Sequence, residues 1–278
     1  MSRISSTFAA LKKSGRAAFV PFVTAGDPDV ETSFEILQRL PAAGADVIEI
    51  GIPFSDPMAD GPTNQASYLR ALQAGMSLAK ILDLVRRFRK TDSKTPLVLM
   101  GAYNPIHAYG TARFAKDAAE AGVDGLLIVD LPAEEDDVLR LPAASHGIDI
   151  IRFLAPTTDD ERLKVVLNGA SGYLYYASIA GITGTKTYAE SDVRSALLRI
   201  KRATSLPCVV GFGIRNPEQA GEIARFADGA VVGSAIVSRI EKSVAEETSR
   251  GNLVADVLNF CASLAKSVHA AEPTSVVS

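Results

Sequence analysis

The sequence predicts an α/β protein built as a single-domain (β/α)8 TIM barrel. Eight short apolar segments alternate with longer amphipathic segments along the 278 residues, and such an alternation predicts a parallel sheet covered by helices. No interruption marks a second domain or the switch point of an open sheet, which favours a closed barrel. A single barrel typically takes about 250 residues, so the length of the chain fits as well.

The eight strand candidates are rich in Val, Ile, Leu and aromatic residues, as expected of buried parallel strands. They cover residues 18–23, 46–51, 96–101, 124–129, 149–154, 172–177, 207–212 and 228–233. Several of the helices between them carry start signals. Ser77 precedes an apolar stripe of helical period, and Thr158 with Glu161 predicts a capping box. Asp27 and Pro28 predict the cap and first-turn proline of the helix after the first strand.

Residues 1–265 are predicted to form the barrel domain, because residues 15–265 contain no linker or low-complexity segment. Residues 266–278 are expected to form a polar, poorly ordered tail. Within the barrel, the connections at 52–75 and 178–191 are longer than the ~2–6 residues of a usual barrel turn. Both follow the carboxyl ends of strands, where barrel enzymes build their sites, so we expect them to be lids.

Composition and charge exclude several classes of partner and site. The chain has 29 Lys and Arg against 32 Asp and Glu, a net charge of −3, which gives no basis for binding nucleic acid or an anionic membrane. Cys208 and Cys261 stand without a CxxC motif, so neither a disulfide nor a metal site is expected. The N-terminal residues lack a secretory signal pattern, and no apolar run reaches about 18 residues. A cytoplasmic protein is expected.

Glu49 is the first candidate for chemistry, because it is a carboxylate inside a strand. Alternation places Val47, Glu49 and Gly51 on one face. If that face looks into the barrel, loss of water raises the pKa of Glu49 toward the range useful for proton transfer. The alternative is a structural carboxylate paired with a lysine or a backbone donor.

Asp60 is the second candidate, in a loop dense with Pro and Gly between residues 53 and 62. A loop of this kind is locally rigid, so it can hold one carboxylate above the strand that carries Glu49. The alternative is that Asp60 caps a turn or the helix that begins near Pro62. On chemistry alone both alternatives stay open, whereas for Asp56 the capping role is favoured.

Glycines after the last two strands predict a phosphate site. Gly211 and Gly213 flank the end of the seventh strand, and Gly233 with Ser234 opens a short helix after the eighth. Glycine lets backbone N–H groups approach an oxyanion, and a helix N-terminus adds positive potential. These two loops form the recurrent phosphate site of barrel enzymes, and Gly184 is a candidate for a third donor. The alternative is close packing.

Aromatic and apolar residues at the tops of strands are candidates for the pocket wall. Phe22, Met100 and Phe212 are expected at the tops of the first, third and seventh strands. Tyr175 shares a face with Tyr173 by strand alternation, and one of the two is expected to line the pocket. Taken singly, ordinary core packing explains each of them equally well.

Taken together, several segments resemble the tryptophan synthase α subunits. The resemblance runs from about Phe8 to Lys242. It rests on residues 21–29, 48–65, 100–106, 122–132, 181–186, 211–219 and 233–237. The block at 48–65, IEIGIPFSDPMADGPTNQ, is the specific part, since other phosphate-binding barrels share segments like GFGI and GSAI but lack it.

The resemblance implies retro-aldol cleavage of indole-3-glycerol phosphate to indole and glyceraldehyde 3-phosphate, without a metal or an organic cofactor. It places the catalytic carboxylates on Glu49, which would move protons, and Asp60, which would accept from the indole N–H. The implied phosphate contacts are Gly184, Gly213, Gly233 and Ser234. The implied pocket residues are Phe22, Met100, Tyr175, Thr183 and Phe212.

The resemblance also implies a partner, a pyridoxal-phosphate β subunit in an αββα complex that receives the indole. Pyridoxal phosphate is expected only on that partner. Two alternatives are a phosphosugar isomerase or other indole-pathway barrel, and a docking subunit that only activates its partner. The 48–65 block argues against the first, and the presence of both Glu49 and Asp60 argues against the second.

Overall fold

A computed structural model describes residues 2–178, 190–211 and 213–272 of the chain. In these ranges the helices are α1 Arg3–Lys13, α2 Val30–Arg39, α3 Pro62–Gln73, α4 Leu78–Arg89, α5 Tyr103–Tyr109, α6 Thr111–Ala121, α7 Asp137–Ser145, α8 Asp160–Leu167, α9 Glu190–Ala203, α10 Pro217–Ala224, α11 Ser234–Ala245 and α12 Arg250–His269. The strands are β1 Ala18–Thr24, β2 Ile48–Gly51, β3 Leu97–Gly101, β4 Gly125–Ile128, β5 Asp149–Ile150, β6 Arg152–Leu154, β7 Leu174–Ala177, β8 Cys208–Gly211 and β9 Gly229–Val232. Helices separate nearly all successive strands, as the sequence predicts.

The strands form one parallel sheet that closes on itself. Their order is β5-β4-β3-β2-β1-β9-β8-β7-β6, with every pairing parallel. The two ends of this order, β5 and β6, are consecutive pieces of one segment separated only by Ile151. The predicted fifth strand therefore pairs with β4 through its first half and with β7 through its second half. The (β/α)8 barrel is confirmed.

Two apolar layers stabilise the barrel. An outer layer packs between the strands and the helices, and an inner layer fills the barrel with alternate strand residues such as Val20, Val98 and Val209. Helix α1 joins the inner layer through Ile4 and Phe8. The Phe8 ring lies 5.6 Å from the Tyr173 ring, so the inner layer continues into the site described below.

Two of the predicted helix starts are wrong by one or two residues. Asp29, not Asp27, caps α2, because its carboxylate accepts from two backbone N–H groups of the first turn, and the Asp27–Pro28 peptide is cis. Asp159, not Thr158, caps α8 through the N–H three residues later. In both cases an adjacent Asp carboxylate reaches the free N–H groups of the first turn. Ser77 caps α4 as predicted.

The C-terminal helix extends beyond the predicted domain boundary at residue 265. Helix α12 continues to His269, Val268 is fully buried, and His269 Nε2 lies 2.7 Å from Asp46 Oδ2. Residues 266–269 therefore pack as part of the barrel, because Leu264 and Val268 continue the apolar stripe at helical spacing. Residues 273–278 lie outside the described residues. No helix in the described ranges is long and apolar enough to cross a membrane.

Candidate active site

Glu49 lies on β2 opposite Phe22 of β1, and its side chain points into the barrel as strand alternation predicts. The side chain is fully buried. Tyr173, from the segment leading into β7, donates its hydroxyl to Glu49 Oε1 at 2.7 Å. Oε2 is buried too and has no hydrogen-bond partner among the described residues. One oxygen is therefore held by the protein while the other is available to a ligand.

The environment of Glu49 makes it suited to both giving and taking a proton. Burial raises the pKa of the Glu49 carboxyl from 4.5 to about 7, and the hydrogen bond from Tyr173 lowers it by a smaller amount. A group whose pKa lies near the working pH is populated in both protonation states. A lysine or a backbone donor beside a structural carboxylate would instead lower its pKa.

Asp60 lies in the loop between β2 and α3, where it is only 7% exposed. Asn64 donates Nδ2 to its carboxylate at 3.1 Å. Burial raises the pKa of Asp60, and the Asn64 amide and the nearby Tyr68 hydroxyl oppose that shift. The Tyr68 hydroxyl is also buried and lies close enough to Asp60 to act on its pKa.

Asp60 does not cap helix α3. The N-cap of α3 is Gly61, and no side chain among the described residues caps the helix. Asp56, by contrast, is exposed, and among the described residues it accepts only from the neighbouring Ser55 hydroxyl, at 2.6 Å. The two aspartates of the loop therefore differ: one is buried at the barrel mouth, and the other makes a local surface contact.

Tyr175 lies near both carboxylates. Burial is the main cause that raises its pKa, and the charges of Glu49 and Asp60 add to the effect, which places the hydroxyl within electrostatic reach of both. The ring stacks on Phe153, with centroids 5.0 Å apart. A Cβ at Gly211 would overlap the Tyr175 hydroxyl, so glycine is required there by close approach.

Phe22 and Met100 lie on the wall of the same region. A Cβ at Gly51 would lie 2.6 Å from Phe22 Cζ, and a Cβ at Gly233 would lie 3.3 Å from Phe22 Cβ. Met100 is opposite Gly51 on the neighbouring strand and belongs to the inner apolar layer. Phe22 therefore bridges the strand of Glu49 and the glycine that opens α11.

The candidate phosphate residues lie at the ends of two adjacent strands. Gly213 follows β8 with a positive φ of 85°. Gly233 follows β9 as the N-cap of α11, and Ser234 is the first helical residue. The first N–H groups of a helix have no acceptor within it, so they face outward. The helix is longer than the predicted short one, running to Ala245, which leaves its N-terminus unchanged.

Comparison with known proteins identifies the family. A family model described as tryptophan synthase alpha chain matches residues 8–269. A tryptophan synthase alpha chain from Gluconacetobacter diazotrophicus is 57% identical over 251 residues, covering 90% of this chain and 92% of that protein. This chain belongs to the tryptophan synthase alpha chain family.

Solved structures of tryptophan synthase agree with the family assignment. Subunit alpha from Legionella pneumophila has a TM-score of 0.89 at 38% identity, with 96% of this chain and 98% of that chain covered. A chain of the tryptophan synthase complex from Pyrococcus furiosus has a TM-score of 0.79 at 35% identity, with coverages of 90% and 98%. The likeness spans the whole barrel.

Three of the site residues predicted for this tryptophan synthase alpha chain lie outside the described residues: Thr183, Gly184 and Phe212. Sequence reasoning in turn missed the partners that hold the carboxylates. Tyr173 had a signal, since it shares a strand face with Tyr175. Asn64 and Tyr68 also had a signal in the sequence. They lie four residues apart on one face of α3, at four and eight residues after Asp60.

Helix α3 is fixed to its neighbours by side chains that no motif indicated. Arg70 donates Nε and Nη2 to the two carboxylate oxygens of Asp27 at 2.7 and 3.0 Å. Its Nη1 lies 3.5 Å from Glu241 on α11. Burial raises the pKa of Asp27, and Arg70 opposes that rise. This ion-paired group joins the loop after β1, the helix after Asp60 and the helix that begins at Gly233.

The described residues contain no group of three or more His, Cys, Asp or Glu that could hold a metal ion. Cys208 and Cys261 are both buried as free thiols. Burial is the main cause that raises the pKa of each thiol, which keeps both protonated at neutral pH. Glu49 on β2 and Asp60 in the loop that follows it are both buried carboxylates with raised pKa values.

Proposed function

We propose that this chain cleaves indole-3-glycerol phosphate to indole and glyceraldehyde 3-phosphate, with Glu49 and Asp60 as its acid–base pair. The reaction is that of the tryptophan synthase alpha chain, the family to which the chain belongs. The observation that carries the residue assignment is the buried Glu49 carboxylate, whose pKa lies near 7 and whose Oε2 has no partner in the described part of the chain.

Glu49 moves both protons of the reaction. Protonation of indole C3 turns the ring into a cation that can accept the bonding electrons. Removal of the proton from the glycerol hydroxyl next to the ring forms the aldehyde carbonyl as the carbon–carbon bond breaks. The electron pair of the broken bond returns to the indole ring. Glu49 delivers the first proton and removes the second, so it ends in its starting state.

Asp60 stabilises the positive charge that develops on the indole ring. Its carboxylate accepts from the ring N–H, whose acidity rises when C3 is protonated. A fixed carboxylate shielded from water stabilises such a charge more strongly than water does. Asn64 supports this role, because its 3.1 Å hydrogen bond holds one oxygen of Asp60 in place.

The substrate phosphate binds at the ends of β8 and β9. Backbone N–H groups at Gly213, Gly233 and Ser234 supply the donors, with Gly184 from the loop after β7, and the N-terminus of α11 adds positive potential. Phe22, Met100, Tyr175 and Phe212 border the indole, and Thr183 positions Asp60 from the same loop as Gly184. Phe22 supports this arrangement because it contacts both Gly51 and Gly233.

The chain functions as the alpha subunit beside a β subunit that carries pyridoxal phosphate, and it passes indole to that partner. The likeness to a chain of the Pyrococcus furiosus tryptophan synthase complex supports an αββα assembly. No organic cofactor or metal on this chain is part of the proposal. The expected cytoplasmic location stays a prediction.

The proposal is tested by adding indole-3-glycerol phosphate to the purified chain, alone and with its β subunit. We expect indole and glyceraldehyde 3-phosphate to appear in equal amounts. Turnover is expected to rise with the partner, because loop closure over the site depends on its contacts. Failure to release indole in both conditions would refute the proposed function.

Tyr173 is expected to set the pH at which Glu49 changes its charge. The Tyr173 hydroxyl hydrogen-bonds to the carboxylate and lowers the pKa of Glu49, so Tyr173→Phe raises that pKa further. We expect the limb of the pH–rate profile that belongs to Glu49 to move up by about one pH unit, the effect of one charge-assisted hydrogen bond. The profile of kcat against pH measures the shift.

Tyr176→Phe is the matched control, because Tyr176 lies on β7, three residues after Tyr173, and belongs to the outer apolar layer. Its profile should coincide with that of the unmodified chain. A Tyr173→Phe profile that is unchanged, or displaced to lower pH, contradicts the role of the Tyr173 hydroxyl.

A further inference from the structure

The loop that carries Asp60 has little main-chain support of its own. Residues 53–60 connect β2 to α3, and they make no backbone–backbone hydrogen bond within the described part of the chain. Pro53 and Pro57 have no N–H to donate. The N-cap of the helix that follows is Gly61, which has no side chain that could fold the loop back onto the helix. The position of this main chain therefore depends on side-chain contacts.

Gln65 supplies hydrogen bonds to this main chain. Its Nε2 lies 2.8 Å from the carbonyl oxygen of Asp60 and 3.5 Å from that of Pro57. Among the described residues, no other side chain or backbone group hydrogen-bonds to the main chain of residues 53–60. Because both partners are acceptors, only the nitrogen end of the amide fits against them. Gln65 thus joins both ends of the segment 57–60 to the first turn of α3.

Gln65 and its neighbour Asn64 hold different parts of the same aspartate. Asn64 donates to the Asp60 carboxylate at 3.1 Å, whereas Gln65 donates to the Asp60 carbonyl. Successive residues of a helix point about 100° apart, so the two side chains reach Asp60 from different directions. One contact orients the carboxylate, and the other fixes the main chain from which it extends. Gln65 itself is exposed, so its contribution to the core is small.

We propose that Gln65 is a positioning residue, which holds Asp60 where its carboxylate accepts from the indole N–H. The inference rests on the role of Asp60 in the proposed function. A displacement of about 1 Å in a reacting group can lower a rate by about 10²-fold, and the loop has no backbone–backbone hydrogen bond in the described chain to prevent one. Loss of the Gln65 amide should therefore weaken the contact of Asp60 with the ring and leave the phosphate end of the substrate unaffected.

The test measures ligand binding to the full chain, so that it does not depend on turnover. Gln65→Met keeps the length and the helix propensity of the side chain but removes the donor. Indole-3-propanol phosphate, which cannot undergo the cleavage, should bind this variant about fivefold more weakly, the effect of losing one hydrogen bond. Glycerol 3-phosphate, which has no ring, should bind it as tightly as the unmodified chain. Indole formation should fall by about tenfold or more.

A double-variant cycle shows whether Gln65 acts through Asp60. Asp60→Ala removes the acceptor, so the addition of Gln65→Met to it should weaken the binding of indole-3-propanol phosphate no further. Gln73→Met is the matched control, because Gln73 is an exposed residue of the same helix. It should change the binding of neither ligand. Thermal unfolding of each variant should give a Tm close to that of the unmodified chain, since both glutamines are exposed.

Three results would overturn the inference. Indole-3-propanol phosphate could bind Gln65→Met as tightly as the unmodified chain, or Gln65→Met could weaken its binding equally with and without Asp60. Glycerol 3-phosphate could also lose affinity for Gln65→Met by the same factor, which would indicate general damage to the site.

The cycle also separates this inference from the proposed function. If Asp60→Ala binds indole-3-propanol phosphate as tightly as the unmodified chain, Asp60 does not accept from the ring, and the positioning role is refuted with it. If instead the unmodified chain releases no indole, the proposed function is refuted, while the four dissociation constants of the cycle still decide whether Gln65 positions Asp60.

Discussion

Glu49→Gln is expected to lower the rate of indole formation by about 10³-fold or more, since removal of a general acid–base group typically costs 10²- to about 10⁴-fold and here one group handles both protons. Glutamine has the same shape and can still accept from the Tyr173 hydroxyl. It cannot give or take a proton at neutral pH. The measurement is single-turnover indole release from indole-3-glycerol phosphate, together with binding of indole-3-propanol phosphate, which should be nearly unchanged.

The same substitution is expected to stabilise the fold above neutral pH. The pKa of Glu49 is about 7 in the folded chain against the ordinary 4.5 of an exposed glutamate. Because the folded pKa is the higher one, the folded state binds the extra proton between these values, and its stability falls as the pH rises through that window. The difference corresponds to on the order of 3 kcal/mol. Glu49→Gln should therefore raise Tm at pH 8, and the gain should vanish near pH 4.

Glu120→Gln is the matched control for both readouts. Glu120 lies on α6 with its side chain 61% exposed, in a surface pair with Lys116. It should change neither indole formation nor the pH dependence of Tm. Glu49→Gln activity close to that of the unmodified chain would remove Glu49 from the mechanism. A loss of activity accompanied by a lower Tm at pH 8 would point to damage to the fold.

The fold could be predicted because its signals are local. Each strand candidate is a run of apolar residues buried on both faces, and alternation alone fixes the inward direction of Glu49 once the barrel is closed. The same rule puts Tyr173 and Tyr175 on one face. The helix caps are harder to predict because neighbouring polar residues compete for the same N–H groups, and Asp29 and Asp159 lie where their carboxylates reach them.

The contacts that complete the site could not be predicted, because they join residues distant in the sequence. Tyr173 and Glu49 are separated by 124 positions, and no local pattern indicates which tyrosine meets which carboxylate. The same holds for Arg70, which pairs with Asp27 43 positions away. The split of the predicted fifth strand at Ile151 also has no local signal.

Arg70→Met is expected to lower the free energy of unfolding by about 3–5 kcal/mol, the usual effect of leaving one partner of a buried ion pair uncompensated. The Asp27 side chain is fully buried, and among the described residues Arg70 is the only side chain that hydrogen-bonds to it. Methionine retains much of the apolar stem of arginine, so loss of the charge dominates. Urea denaturation at neutral pH measures the change.

The pH dependence and a double variant identify the cause. Without Arg70 the pKa of Asp27 rises further, and because a raised carboxyl pKa lowers stability as pH rises, the loss should shrink as the pH falls toward 4. Asp27→Leu combined with Arg70→Met removes both charges and should recover most of the lost stability, as apolar replacements of buried ion pairs often do. Arg86→Met removes an exposed pair with Asp83 and should cost no more than about 1 kcal/mol. Two results would contradict this explanation. Arg70→Met and Arg86→Met could lower the free energy of unfolding by the same amount, or the double variant could be less stable than Arg70→Met alone. Either result would mean that Arg70 does not stabilise the fold by compensating the buried charge of Asp27.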